Sequence, residues 1–113
     1  MSAVLIYVTC SSMEEAEQLG AELIKRRLAA CTNILGSITS MFHWKGQVEN
    51  DREVALLAKT RQDLVADLTA AVLELHSYET PCVVALPIIG GNPDFLKWVE
   101  AETGPPSAPR IET

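Results

Sequence analysis

Basic residues are scarce in this 113-residue chain. Lysine and arginine total 9 against 15 aspartates and glutamates, for a formal net charge of −6. Only Lys25-Arg26-Arg27 stand together, in what reads as the last turn of a helix, where cations suit the dipole. An acidic chain with no basic stripe is not expected to bind nucleic acid. Cysteine is scarce as well. The three, Cys10, Cys31 and Cys82, are an odd number at unpaired spacings, so free thiols in a reducing compartment fit better than a disulfide framework. No apolar run approaches the roughly 20 residues of a membrane span. Residues 1–9 lack the basic region of a secretory leader and run straight into a strand pattern. A cytoplasmic protein with no membrane partner is the expectation. Walker, dinucleotide-binding and G-x-S-x-G patterns are all missing, and no catalysis is expected.

What is present is ordinary for one globular domain, with 48% hydrophobic and 21% charged residues. The central feature is residues 30–60, which read as two long strands, 30–44 and 47–60, joined at Lys45-Gly46. Ile34, Ile38, Thr39, Phe42, Val48, Val54 and Leu56 suit a pleated surface, and a glycine in a short polar gap is a hairpin signal. About 12 residues at ~3.3 Å each make a ribbon of roughly 40 Å. A domain of this size is only about 35 Å across. The far half of the ribbon carries Met41, Phe42 and Trp44, poor chemistry for an arm left in water, and another subunit is expected to cover it.

The rest falls around this ribbon. Ala3–Cys10 is an apolar run that reads as a central strand buried on both faces. Ser12-x-x-Glu15 is a capping box opening a helix to about Leu28. Thr60 or Asp63 caps a second helix whose stripe is Leu64, Leu68, Ala71, Val72 and Leu75. Residues 82–89 form another strand, which Pro87 confines to an edge or a bulge. Asn92-Pro93 opens a third helix. The single domain is expected over residues 1–102, with a Pro-rich tail over 103–113. The order β-α-β-β-α-β-α with right-handed crossovers gives an α+β, ferredoxin-like fold: an antiparallel sheet with a long hairpin, the third strand inserted between the first two and the fourth beside the first. This topology brings Cys10, His76 and Cys82 to one end. Two thiols and an imidazole suit Cu(I), Zn(II) or Cu(II). The plainer reading, favoured on the residues alone, makes the cysteines small core hydrophobes and His76 a helix cap.

Several separated stretches carry a resemblance. Ala29-Ala30-Cys31-Thr32-Asn33-Ile34, Ser40-x-x-x-Trp44-x-Gly46, Glu53, Lys59-Thr60, His76-Ser77-Tyr78-Glu79-Thr80-Pro81 and Phe95-Leu96-x-Trp98 closely resemble the CutA divalent-cation tolerance family, over roughly residues 3 to 100. The resemblance implies a tight homotrimer of ferredoxin-like subunits, like the PII signalling trimers. It also implies association with copper or another divalent cation, and a role in metal tolerance without catalysis. Carried across position by position, the metal group is Cys10 and His76, with Cys82 added from the residues themselves. The intersubunit pocket is Cys31, Asn33, Trp44, Glu53, Lys59 and Tyr78. Phe42, Ser77 and Cys82 stand where the family usually has tyrosine, proline and glutamate. The alternative is a PII-like sensor holding a small anion near Lys59.

Overall fold

The computed structural model describes residues 2–105. β1 (Ala3–Cys10) buries Val4, Ile6, Val8 and Cys10 on one side, while the alternate residues up to Tyr7 are half-buried on the other. That is the period-2 pattern of a strand with the main core on one face. α1 (Met13–Lys25) lays Ala16, Leu19, Gly20 and Leu23 on this face. At Gly20 the helix comes close to the sheet: a Cβ would meet Thr32 Oγ1 at 3.0 Å and Leu56 Cδ1 at 3.4 Å, so those side chains would have to give way. Glu22 and Arg26 pair at 2.8 Å on the solvent side.

The helix stops three residues before the expected Leu28. The amide of Arg27 bonds the carbonyl of Ile24, and the amide of Leu28 bonds that of Leu23, both at 2.9 Å. This is a Schellman stop. Its left-handed position is Arg27, at φ 58°, instead of the usual glycine.

β2 (Cys31–Trp44) and β3 (Gln47–Arg61) pair along their whole length, with a bulge between Leu35 and Ser37. Lys45 at φ 50° and Gly46 at φ 80° make the two-residue turn, the left-handed pair that matches strand twist. A turn of 3-10 helix, Gln62–Leu64, leads into α2 (Val65–Leu75). Neither Thr60 nor Asp63 caps α2: its N-cap is Leu64, with no side-chain bond. Thr60 is instead fully buried inside β3, and Asp63 pairs with Arg61 at 3.1 Å. Stacking on the core, through Leu68, Ala71 and Val72, holds this helix without a polar cap.

β4 (Val83–Pro87) is shorter than residues 82–89 and pairs only with β1, so Pro87 does lie on an edge. The sheet order β2-β3-β1-β4, antiparallel throughout, is the ferredoxin-like α+β arrangement. α3 (Pro93–Ala101) begins at Asn92, whose Oδ1 accepts from the Asp94 amide at 3.0 Å. No helix among the described residues is long and apolar enough to cross a membrane.

The chain stays tied down past residue 102. Thr103 is buried and its hydroxyl donates to the Val99 carbonyl at 2.9 Å. The Gly104 amide donates to the Arg27 carbonyl at 2.8 Å, and Arg27 Nε returns a 2.9 Å bond to the Gly104 carbonyl. A second guanidinium nitrogen reaches the Ala101 carbonyl at 3.3 Å. The remainder of the expected tail, 106–113, lies outside the described residues. Arg27→Ala removes both charge-assisted bonds while keeping the left-handed backbone, and should cost about 1–2 kcal/mol in a urea titration. An unchanged midpoint would show that the guanidinium adds nothing to what the Thr103 hydroxyl, the Gly104 amide and Val99 packing already hold.

β1 pairs with residues 54–61 of β3 only. Among the described residues, 38–44 and 47–53 therefore pair only with each other, and the ribbon they form projects from the body. The Cα radius of gyration is 15.4 Å, against about 13 Å for a compact chain of this length. Met41 and Val48 on this ribbon are each 74% exposed.

Candidate functional site

The end of the sheet where β1 finishes gathers three chain segments. Ser12 Oγ accepts from the Glu15 amide at 3.1 Å, the expected cap. The Glu15 carboxylate does not close the box on Ser12, however. Its Oε1 accepts from the Ser11 amide and the Ser11 hydroxyl, both at 2.9 Å. Its Oε2 crosses to the end of α2 and accepts from the Ser77 amide at 2.9 Å. His76 is the C-cap of α2 and its ring is fully buried. Nε2 lies 2.7 Å from the Thr9 carbonyl oxygen, and Nδ1 accepts from the Tyr78 amide at 3.0 Å. A carbonyl can only accept and an amide only donate, so the ring is neutral with its proton on Nε2.

Ligand atoms of Cys10, Glu15 and His76 lie within 4.8 Å of one another. The meeting of Cys10 with His76 is legible in the topology, whereas the sequence pattern marks Glu15 only as part of the cap. The missed signal is that the first helix must start at the end where the first strand stops, which puts any polar residue of its first turn beside Cys10. Cys82 does not join this group. The last pair between β1 and β4 is Val8 with Val83, which leaves Cys82 beyond the ladder. Burial, with the Glu53 charge adding to it, raises the pKa of the Cys82 thiol.

The kinds of donor and their spacing suit copper or zinc, but their bonding does not. Both ring nitrogens of His76 are committed to the backbone. Burial pushes the Cys10 thiol up to about 12, with the Glu15 and Glu53 charges adding to it, so with no ion beside it the side chain is a protonated thiol. Burial opposes charge at Glu15 too, yet the donors from Ser11 and Ser77 outweigh it and hold the carboxyl at about 2. In this arrangement the cluster does not fit a cation.

The six residues expected to line a pocket form two separate pairs and two single positions. Lys59 Nζ donates to Asn33 Oδ1 at 2.7 Å and stands 5.8 Å from the Phe95 ring centre. Cys31 lies directly across from Lys59. The Tyr78 hydroxyl donates to Glu53 Oε2 at 2.8 Å, and Glu53 is only 8% exposed. Burial and this bond raise the Tyr78 phenol above its ordinary range. Glu53 and Lys59 share a face of β3 but are about 20 Å apart along it, and Trp44 at the tip is a similar distance further. A concavity of about 350 Å³ opens beside α1, lined by Glu14, Glu15, Gln18, Glu22 and Leu75 among others; none of the six lines it.

Comparison with known proteins is consistent with this geometry. A family model described as CutA1 divalent ion tolerance protein matches residues 4–102. The CutA homolog of Xenopus laevis is 47% identical over 93 residues, covering 82% of this chain and 62% of the relative. The divalent-cation tolerance protein CutA of Archaeoglobus fulgidus is 43% identical over 95 residues, covering 84% of this chain and 92% of the relative. The crystal structure of CutA1 from Oryza sativa matches with a TM-score of 0.89 at 39% identity, over 92% of this chain and 95% of that one. The chain spans little more than half the length of several animal and plant relatives. Their names differ in compartment, with chloroplastic used for a rice protein and periplasmic for the Archaeoglobus one. With a family model that takes in nearly the whole chain, and relatives above 40% identity beside a solved structure of the same fold, the chain belongs to the CutA1 divalent ion tolerance protein family.

Proposed function

We propose that the protein is a cytoplasmic homotrimer that binds copper or another divalent cation, takes part in metal tolerance and catalyses no reaction. The observation that carries the assembly is the projecting ribbon, whose residues 38–44 and 47–53 have no further strand partner among the described residues. An isolated two-stranded ribbon is marginal in water. The open edges of β2 and β4 offer backbone groups for strand addition, and Met41, Phe42, Trp44, Val84 and Leu86 offer apolar surface to cover. On assembly, the Asn33–Lys59 and Glu53–Tyr78 pairs, with Cys31 and Trp44, would line clefts between copies. The three free cysteines support a reducing compartment.

Within this reading, Cys82 is the metal candidate that stays open: a half-buried thiol close enough to the Glu53 carboxylate to feel its charge. The test is light scattering beside a copper and zinc titration. A mass about three times 12.3 kDa is expected, with binding weakened in Cys82→Ser. A solitary folded chain at micromolar concentration would end the trimer reading.

One observation favours a second reading. Among the described residues Lys59 has no carboxylate partner, its ammonium being held by an amide oxygen and an aromatic face. A cation so placed in a cleft suits a small anion. A rise in melting temperature with anionic metabolites but not with metals, abolished in Lys59→Ala, would support it.

A further inference from the structure

We propose that Cys10, Glu15 and His76 are not a cation site but an anchor, which sets the turn at Ser77 and Tyr78 so that the Tyr78 hydroxyl meets Glu53. In this arrangement His76 has no lone pair left for a cation. His76 spends Nε2–H on the Thr9 carbonyl and its one free lone pair on the Tyr78 amide. Glu15 accepts three donors, Ser11 N and Ser11 Oγ on Oε1 and Ser77 N on Oε2, so one lone pair on Oε2 is all it could offer an ion. The 3.9 Å separation between His76 Nε2 and Glu15 Oε1 is too long for a hydrogen bond. Cys10 fills the floor as a fully buried side chain of the core cluster.

The same bonds have a positive consequence. Glu15 and His76 seize two consecutive amides, those of Ser77 and Tyr78, just past the end of α2. Amides at such a point would otherwise face water, and the turn would be free to move. With both held, the Tyr78 ring packs 4.6 Å from the His76 ring, centre to centre, and its hydroxyl reaches Glu53 at 2.8 Å. Glu53 is buried with that phenol as a donor, and a buried carboxylate needs donors. Glu15 and His76 are thus positioning residues for a pair on the opposite face of the sheet.

Amide hydrogen exchange on the full chain, with copper and zinc titrations of the same variants, tests both halves. Exchange at Tyr78 should accelerate by about tenfold or more in His76→Ala, relative to core amides of β3 that report general destabilisation. His76→Asn, whose side-chain oxygen can replace Nδ1, should recover part of it. Glu15→Ala should release Ser77, whereas Cys10→Ser should leave both amides protected. Cation binding should be the same in Cys10→Ser as in the parent, whether the parent binds or not. Unaltered Ser77 and Tyr78 exchange in the Glu15 and His76 variants would remove the anchor. Binding lost in Cys10→Ser and His76→Ala with assembly intact would restore the cation site. A parent that binds no metal would count against the proposed function while leaving the exchange result to decide the anchor.

Discussion

Phe42→Ala combined with Trp44→Ala should reduce the scattering mass from about three chains to a single 12.3 kDa chain at micromolar concentration. The aromatics sit on the part of β2 that pairs only with residues 47–53, so neither belongs to the core cluster of its own subunit. Truncating them leaves that subunit's core cluster alone. It acts on what covers them, where a buried aromatic anchor typically contributes about 2–4 kcal/mol. Symmetry repeats the loss in every copy. Strand-edge hydrogen bonds alone, added to a two-stranded ribbon, would then have to hold the assembly, and such ribbons are marginal. Far-UV circular dichroism should stay close to that of the parent, since the sheet below the bulge and all three helices keep their contacts. If the variant keeps its full mass, the assembly rests on the β4 edge or on Val84, Leu86 and Ile89, which are also exposed.

What the sequence made legible was mostly local or topological. The hairpin followed from two β-rich runs around Lys45-Gly46, and β1 from an unbroken apolar run. The sheet order followed from the element order, because right-handed crossovers leave few alternatives. That order in turn predicted the approach of Cys10 to His76. Other features depended on backbone groups that side-chain patterns do not reveal. Leu28 fits the apolar stripe of α1, yet the helix ends at Lys25 because Arg27 takes the left-handed position, held by carbonyls of a segment some 75 residues away. Thr103 and Gly104 read as the start of a tail, yet the Thr103 hydroxyl is fixed on the Val99 carbonyl and Gly104 on that same arginine. Likewise the choice between ligand and anchor at His76 turns on the Thr9 carbonyl and the Tyr78 amide. Residue type and spacing are identical in the two cases.

Glu15 links these two levels, and its titration gives the second large expected effect. The carboxyl is held at about 2 in the folded chain against an ordinary value of 4.5, and its side chain is only 16% exposed. A folded-state pKa below the unfolded one means that the folded chain favours the charged form. The stabilisation is therefore complete above about pH 4.5, declines as pH falls, and is gone once pH drops through about 2. A difference of this size corresponds to about 3 kcal/mol at neutral pH. Glu15→Gln should thus lower stability at pH 7 by about that amount, since one amide oxygen cannot serve the Ser11 and Ser77 donors together. The gap between parent and variant should then close as pH is lowered from 4.5 to 2. Urea midpoints at a fixed protein concentration, which holds any assembly contribution constant, give both curves. Parallel curves through that interval would mean that the charge on Glu15 does not hold the start of α1 to the end of α2. The Ser77 bond would then be a consequence of the packing around His76, with no part in fixing the turn.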